Sequence, residues 1–398
     1  MKKLLLIAAV AGAALVSCVT EDLNPSKQTN QKVTFDSPVM YSNENSKANV
    51  YGEIGAQTSN GISYTYPNAE SFMIYAVSHS GDFTGWTNGT PAAFNNTAVS
   101  YDLNVDGWAP KTSEGKYYYW DAGKKITFAA SSPADLEQAH WGSTDKRAYG
   151  EEGLVIEDFA VASDASKQFD LLFSTRSANN TAANMNHNAS YYSGLPVVFQ
   201  HALASVRFSI ANSSEESVIL TGIEVTGVKY MGDFHENIVE DPSDYALYDR
   251  TPSTGNVTPE WTVDNTLITT PYVAFSGNIP FLSEPRYVSQ LVELANDNNN
   301  KCNQLLLMPQ ELTDDAEVIV HYTVNGQPNN IPVKLKGLKS TKEVDGNTVE
   351  TGTINSWEMG KRYTYRLSYS SATADKDKIY FSPSTENWED VDIIIVNL

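Results

Sequence analysis

The clearest order in this chain is a two-residue alternation of apolar and polar side chains. Between positions 204 and 210, Ala204, Val206, Phe208 and Ile210 fall on one side, with Ser205, Arg207 and Ser209 on the other. Positions 363 to 369 repeat it, with Tyr363, Tyr365, Leu367 and Tyr369 set against Thr364, Arg366 and Ser368. Successive side chains of a strand point to opposite faces, so this period predicts β-strands with one apolar face. Shorter apolar runs at 72–77, 126–130, 218–228, 305–308, 318–324 and 391–396 are bounded by Gly, Asn, Asp and Pro, and read as further strands. Asn325-Gly326 sits between two such runs and tolerates the positive φ angles of a type I′ hairpin turn; "VDGN" at 344–347 repeats the device.

Helical patterns are few. Positions 284–295 carry a helical period, and Ser132-Pro133 fits the start of a short turn running to Gln138. The polar stretch 174–194, rich in Asn, Ala and Ser, reads as a long loop or interdomain connection. The pattern is all-β, and its simplest partition is two successive domains of unequal length.

The N-terminus breaks this pattern. Lys2 and Lys3 precede an apolar run from Leu4 to Val16, too short to span a bilayer and matching a secretory signal. It ends in "LVSC", which resembles the bacterial lipobox, whose cysteine is lipidated and becomes the new N-terminus. Cys18 is therefore the candidate lipid anchor, and residues 1–17 the signal peptide. Glu21 and Asp22 resemble the acidic export tag of Bacteroidota surface lipoproteins. Cys302, the second of two cysteines, is then a free thiol acting as a small hydrophobe.

Charge narrows the partners. A formal net charge of −21 and a pI near 4.6 leave nothing to neutralise phosphates, which excludes a nucleic-acid binder and electrostatic docking on anionic lipid. Catalytic signatures are missing: there is no Gly-x-Ser-x-Gly elbow, phosphate-binding loop, His-Glu-x-x-His or Cys-x-x-Cys. The group Asp233, His235, Glu236 and Glu240 holds metal-ligand types, but in a chain with 48 acids it reads as a solvated acidic loop. His201 and His321 read as structural residues within strands. The sequence thus predicts no enzyme, no metal and no cofactor beyond the lipid on Cys18. The aromatic run Tyr117, Tyr118, Tyr119 and Trp120, with Trp86, Trp108 and Trp141, reads first as strand packing. Its alternative is a sugar-stacking platform on a surface glycan-binding lipoprotein.

Six segments, in order, then carry a resemblance: "NSKANVYG" (45–52), "ITFAASSPADL" (126–136), "QFDLLFSTR" (168–176), "VVFQHALASVRFSI" (197–210), "LLLMPQEL" (305–312) and "SWEMGKRYTYRLSY" (356–369). They resemble, respectively, the T-R-A-like processing motif, the F-x-A-x-x-P strand, the x-D-L-M segment, F-x-H-x-L-A-x-V-x-F, L-P-Q and W-x-x-G-x-x-Y-x-Y of the Mfa-like fimbrillins. These are the type V pilins of Bacteroidota. The hallmark residues are Phe199, His201, Leu203, Ala204, Val206 and Phe208, then Pro309 and Gln310, then Trp357, Gly360, Tyr363 and Tyr365.

The resemblance implies two transthyretin-like β-sandwich domains in tandem with few short helices. On it, residues 18–48 are a tether and first strand, 49–190 the first domain and 191–398 the second. It implies a lipoprotein on the outer membrane that serves a surface fimbrium as structural, tip or anchor subunit. Its partners would be other fimbrial subunits and host or bacterial surface ligands. In such pilins a protease removes the first strand, opening a groove that another subunit's strand fills. Here Val33, Phe35 and Val39 are the candidate shielding strand, and Lys47 with Ala48 the candidate processing site. Two departures leave alternatives open. The family commonly has Arg at that site, so either a protease accepting Lys acts there or the subunit keeps its strand. The apolar run Ile393, Ile394, Ile395 and Val396 is either a donor strand or a closing core strand.

Overall fold

The computed structural model describes residues 28–35, 39–40, 56–59, 62–65, 71–102, 107–134, 146–174, 176–181, 194–195, 197–238, 258–344, 347–370 and 378–387. Cys18, Lys47, Ala48, Glu240 and Ile393, Ile394, Ile395 and Val396 lie outside them. The described chain is almost entirely β-structure, as the alternation predicts. Val288–Ala295 is the one α-helix among the described residues, and it buries Val288 and Leu291. No helix among them is long and apolar enough to cross a membrane.

Two large hydrophobic cores organise the described strands, beside a small cluster of Val77, Phe83 and Ala178. The smaller gathers Val33, Phe35, Phe72, Ile74, Phe94, Val99, Trp108, Trp120, Phe128, Leu195 and Phe199. Its main sheet runs in the order Val39–Met40, Val198–His201, Leu172–Ser174, Lys125–Ser132, Ser71–His79, Thr97–Asp102 and Gly107–Pro110. The larger core is enclosed by two sheets. One sets Ala204–Asn212 beside Lys361–Ser370 in parallel, with Lys378–Asn387 outside the latter. The other runs Lys301–Cys302, Tyr272–Pro280, Val218–Thr226, Glu317–Val324 and Gln327–Lys334. Leu154, Ile156, Phe159, Phe169 and Phe173 reach into this larger core from earlier in the chain. Gly153–Ala160 pairs with Met231–His235, stitching the middle of the chain to its second half.

Local chemistry explains these elements. Glu317–Val324 alternates half-buried and buried residues along its whole length, as a strand with one face on a core must. It turns at Asn325 and Gly326, whose φ angles of 49° and 80° make the type I′ turn that Asn-Gly favours. The register of the second predicted hairpin, Val344 opposite Asn347, also leaves a two-residue loop.

The polar side of Ala204–Asn212 is covered as well, since Ser205 and Ser209 are buried and Gln304 Nε2 donates to Ser205 Oγ at 2.7 Å. One expectation needs correction. The stretch from 174 is not loop at its start. Ser177–Asn180 is a strand paired with Lys125–Ser132, and Arg176 and Asn180 are buried. Asn180 Nδ2 donates to the Ile126 carbonyl, so a polar sequence finds its partners inside the fold.

Candidate functional site

The first and last strands of the smaller core's sheet do not meet each other. Residues 33–35 lie between Gly107–Pro110 on one side and Leu195, just before Val198–His201, on the other. Phe35 bridges Trp108 in antiparallel fashion and Leu195 in parallel. Its N–H donates to the Trp108 carbonyl at 2.7 Å, and the Trp108 N–H returns a bond to the Phe35 carbonyl at 3.1 Å. On the other edge the Leu195 N–H donates to the Thr34 carbonyl at 2.9 Å, and Val39–Met40 continues in parallel along Val198 and Phe199. The Val33 N–H donates to the Tyr118 carbonyl at 2.9 Å. This short segment is therefore hydrogen-bonded on both sides, as a central strand is.

Its side chains are buried on both faces. Val33 and Phe35 are fully buried, at 0% exposure, and Thr34 between them is buried too. The Phe35 ring meets Phe72, Phe128 and Phe94 edge-on, with centroids 5.8, 5.2 and 6.5 Å away. Edge-to-face contact suits the quadrupoles of aromatic rings and adds to the burial itself. Gly194 lies against the strand: a Cβ there would stand 2.5–2.6 Å from main-chain atoms of Thr34 and Phe35. The strand entering the slot is Gln28–Lys32, which pairs with Tyr119–Asp121. Lys32 Nζ lies 3.9 Å from the centre of the Tyr117 ring, a cation–π contact. The Tyr117 hydroxyl donates to Asp102, which Lys111 also pairs at 2.7 Å. That carboxylate raises the Lys111 pKa through its hydrogen bond.

The other singled-out residues serve packing. Trp108 and Trp120 are buried in the smaller core and Tyr118 packs against it, while Tyr119 is 38% exposed. Within the run 117–120 only Trp120 is fully buried, and Tyr117 and Tyr118 are half-buried. His201 Nδ1 stands 2.7 Å from Asp170 Oδ2, both buried, so residues of two motifs meet. Gln310 brackets Lys229, accepting from its N–H at 2.8 Å and donating to its carbonyl at 2.9 Å. Gly360, at φ 67°, donates to the Leu203 carbonyl, and the Trp357 indole donates to the Tyr365 hydroxyl at 2.9 Å. These motifs are junctions of the fold. Burial pushes the Cys302 thiol up to about 12, which leaves no thiolate for chemistry.

The acidic group on Met231–His235 and just beyond is split. Asp233 accepts from the Asp158 N–H, whereas Glu236 turns inward and is fully buried. The solvated loop expected for Glu236 is therefore corrected. Among the described residues no three His, Cys, Asp or Glu side chains gather as metal ligands.

Comparison with known proteins adds the family. No curated protein matches the sequence. By structure the chain is similar to a fimbrial protein from Bacteroides vulgatus ATCC 8482, at 15% identity and a TM-score of 0.47, covering 90% of this chain and 100% of that one. It is also similar to the tip fimbrial protein Mfa3 from Porphyromonas gingivalis, at 10% identity and a TM-score of 0.35, covering 80% and 94%. The fimbrillin-like sequence profile matches residues 62–388, most of the chain. On that match, the chain belongs to the fimbrillin-like family.

Proposed function

We propose that this protein is a subunit of a surface fimbrium whose N-terminal strand is a removable plug. Cys18 carries the lipid that holds the precursor on the outer membrane, and cleavage between Lys47 and Ala48 frees residues 18–47. Loss of Val33–Phe35 then exposes an apolar slot with two unpaired strand edges, which a strand from another subunit fills. The tandem transthyretin-like division, near residues 190–191, belongs to the same reading. The protein acts by assembly and adhesion, without catalysis.

The observation that carries this reading is the double-sided seat of residues 33–35. An open edge is an aggregation hazard in most proteins. A slot with two edges and an apolar floor makes strand addition directional, because main-chain bonds supply affinity and alternate side chains supply specificity. The test is association. A full chain carrying one specific protease site within residues 41–55 is cut and followed by light scattering and electron microscopy. The uncut chain is expected to stay monomeric, and the cut chain to add further subunits into oligomers. A cut chain that stays monomeric overturns the proposal.

A further inference from the structure

We propose that the slot selects its occupant by direction, register and side-chain size, with Gly194 as the gate and the Phe72–Phe94–Phe128 box as the reader. This rests on the strand-exchange reading and specifies the partner it implies. The ligand is an extended peptide with a β-branched residue, a small residue and an aromatic residue in succession.

Direction follows from the two edges. The occupant must run antiparallel to Trp108 and parallel to Leu195 to satisfy both sets of bonds. A reversed strand inverts both relations at once.

Register follows from the side chains. Side chains alternate with period two, so a one-residue slip moves every side chain to the opposite face. Here a slip in one direction would put Thr34 into the aromatic box, and a slip in the other would press Phe35 into the confined space where Thr34 is buried. Both faces are closed, so neither error finds solvent.

Size follows from the box and the gate. Three rings contact Phe35 edge-on, and Trp108 and Phe199 pack against Phe72 beside them. An aliphatic residue at this place leaves a void, and alanine leaves a larger one. Gly194 acts on any occupant alike, because the atoms its Cβ would strike are main-chain atoms that no rotamer change can move. Its role is to let two backbones approach, a role only glycine fills.

The test uses the full chain cut once within residues 41–55, titrated with a fluorescent peptide of residues 28–40 and read by anisotropy. Native peptide is expected to exchange into the slot. Peptide with Phe35→Leu should bind roughly 10-fold more weakly, and with Phe35→Ala roughly 100-fold or more. Peptide with Thr34→Leu should bind at least roughly 10-fold more weakly, since overpacking is penalised too. In the chain, Gly194→Ala should weaken every peptide by a similar factor while the circular dichroism of the larger core is retained. Equal binding of the native, Phe35→Ala and Thr34→Leu peptides overturns the selection rule, and these variants place no demand on folding of the chain. Unchanged native-peptide affinity in Gly194→Ala overturns the gate. Failure of the native peptide to enter at all instead overturns the strand-exchange reading beneath both.

Discussion

At the scale of single residues, the fold depends on side chains whose surroundings contradict their type. Glu236 is a carboxyl with no solvent exposure. Its Oε2 accepts the Leu154 N–H at 2.8 Å, and Oε1 has no hydrogen-bond partner among the described residues. Burial pushes its pKa up to about 8, against the opposing pull of the Leu154 N–H and the buried Arg176 guanidinium. The unfolded chain ionises near 4.5 and the folded one near 8, so ionisation favours unfolding and stability falls as pH rises through that window. Glu236→Gln should therefore gain stability relative to the parent between pH 5 and pH 8, with no gain below pH 4.5. Urea melts of both proteins across that range measure it, and a difference independent of pH would refute it. Phe35 gives a second prediction at this scale. Truncation to alanine should cost roughly 3–5 kcal/mol of stability in the intact chain, the usual range for a fully buried aromatic. A loss below about 1 kcal/mol in denaturant melts would mean that the ring is not held as described.

At the scale of elements, strand edges decide what the molecule can join. Gln327–Lys334 is an outer strand among the described residues, mostly exposed and paired on one side with Glu317–Val324. Val324 and Gln327 flank the two-residue type I′ turn and form its closing hydrogen-bonded pair. Counting from there, Pro328, Asn330, Pro332 and Lys334 direct their main-chain groups outward. Both prolines thus cost the inner ladder nothing and remove donors from the free edge. Replacing both with threonine should open that edge and produce concentration-dependent association in sedimentation experiments; a strictly monomeric double variant would show that something else protects it.

Elements also show what could be read in advance. Strands with one polar and one apolar face, the Asn-Gly hairpin and the short helix were legible because local pattern and tertiary environment agree there. Ser177–Asn180 was not, because a polar strand buried by specific hydrogen bonds looks like a loop in composition. Glu236 reads as solvated for the same reason. The slot is the instructive case: "KVTF" is legible as a strand. Its burial on both faces depends on Trp108, Tyr118 and Leu195, positions about 75 to 160 residues away that no local pattern reaches.

At the scale of the whole molecule, the two cores carry different tasks. The larger one is sealed by motif junctions such as His201 with Asp170 and Gln310 with Lys229, which tie separate parts of the chain together. The smaller one is completed by a strand from the extreme N-terminal part of the described chain, placed ahead of the candidate cut at Lys47. On the proposed reading, a fold finished by its most separable segment is stable as a precursor and becomes adhesive once that segment leaves. The measurement that tests this most directly is mass spectrometry of the N-terminus of the protein recovered from fimbriae on intact cells. The account predicts a chain beginning at Ala48 and lacking Val33–Phe35. A fibre-borne chain that begins at a lipidated Cys18 and retains residues 28–40 would contradict it.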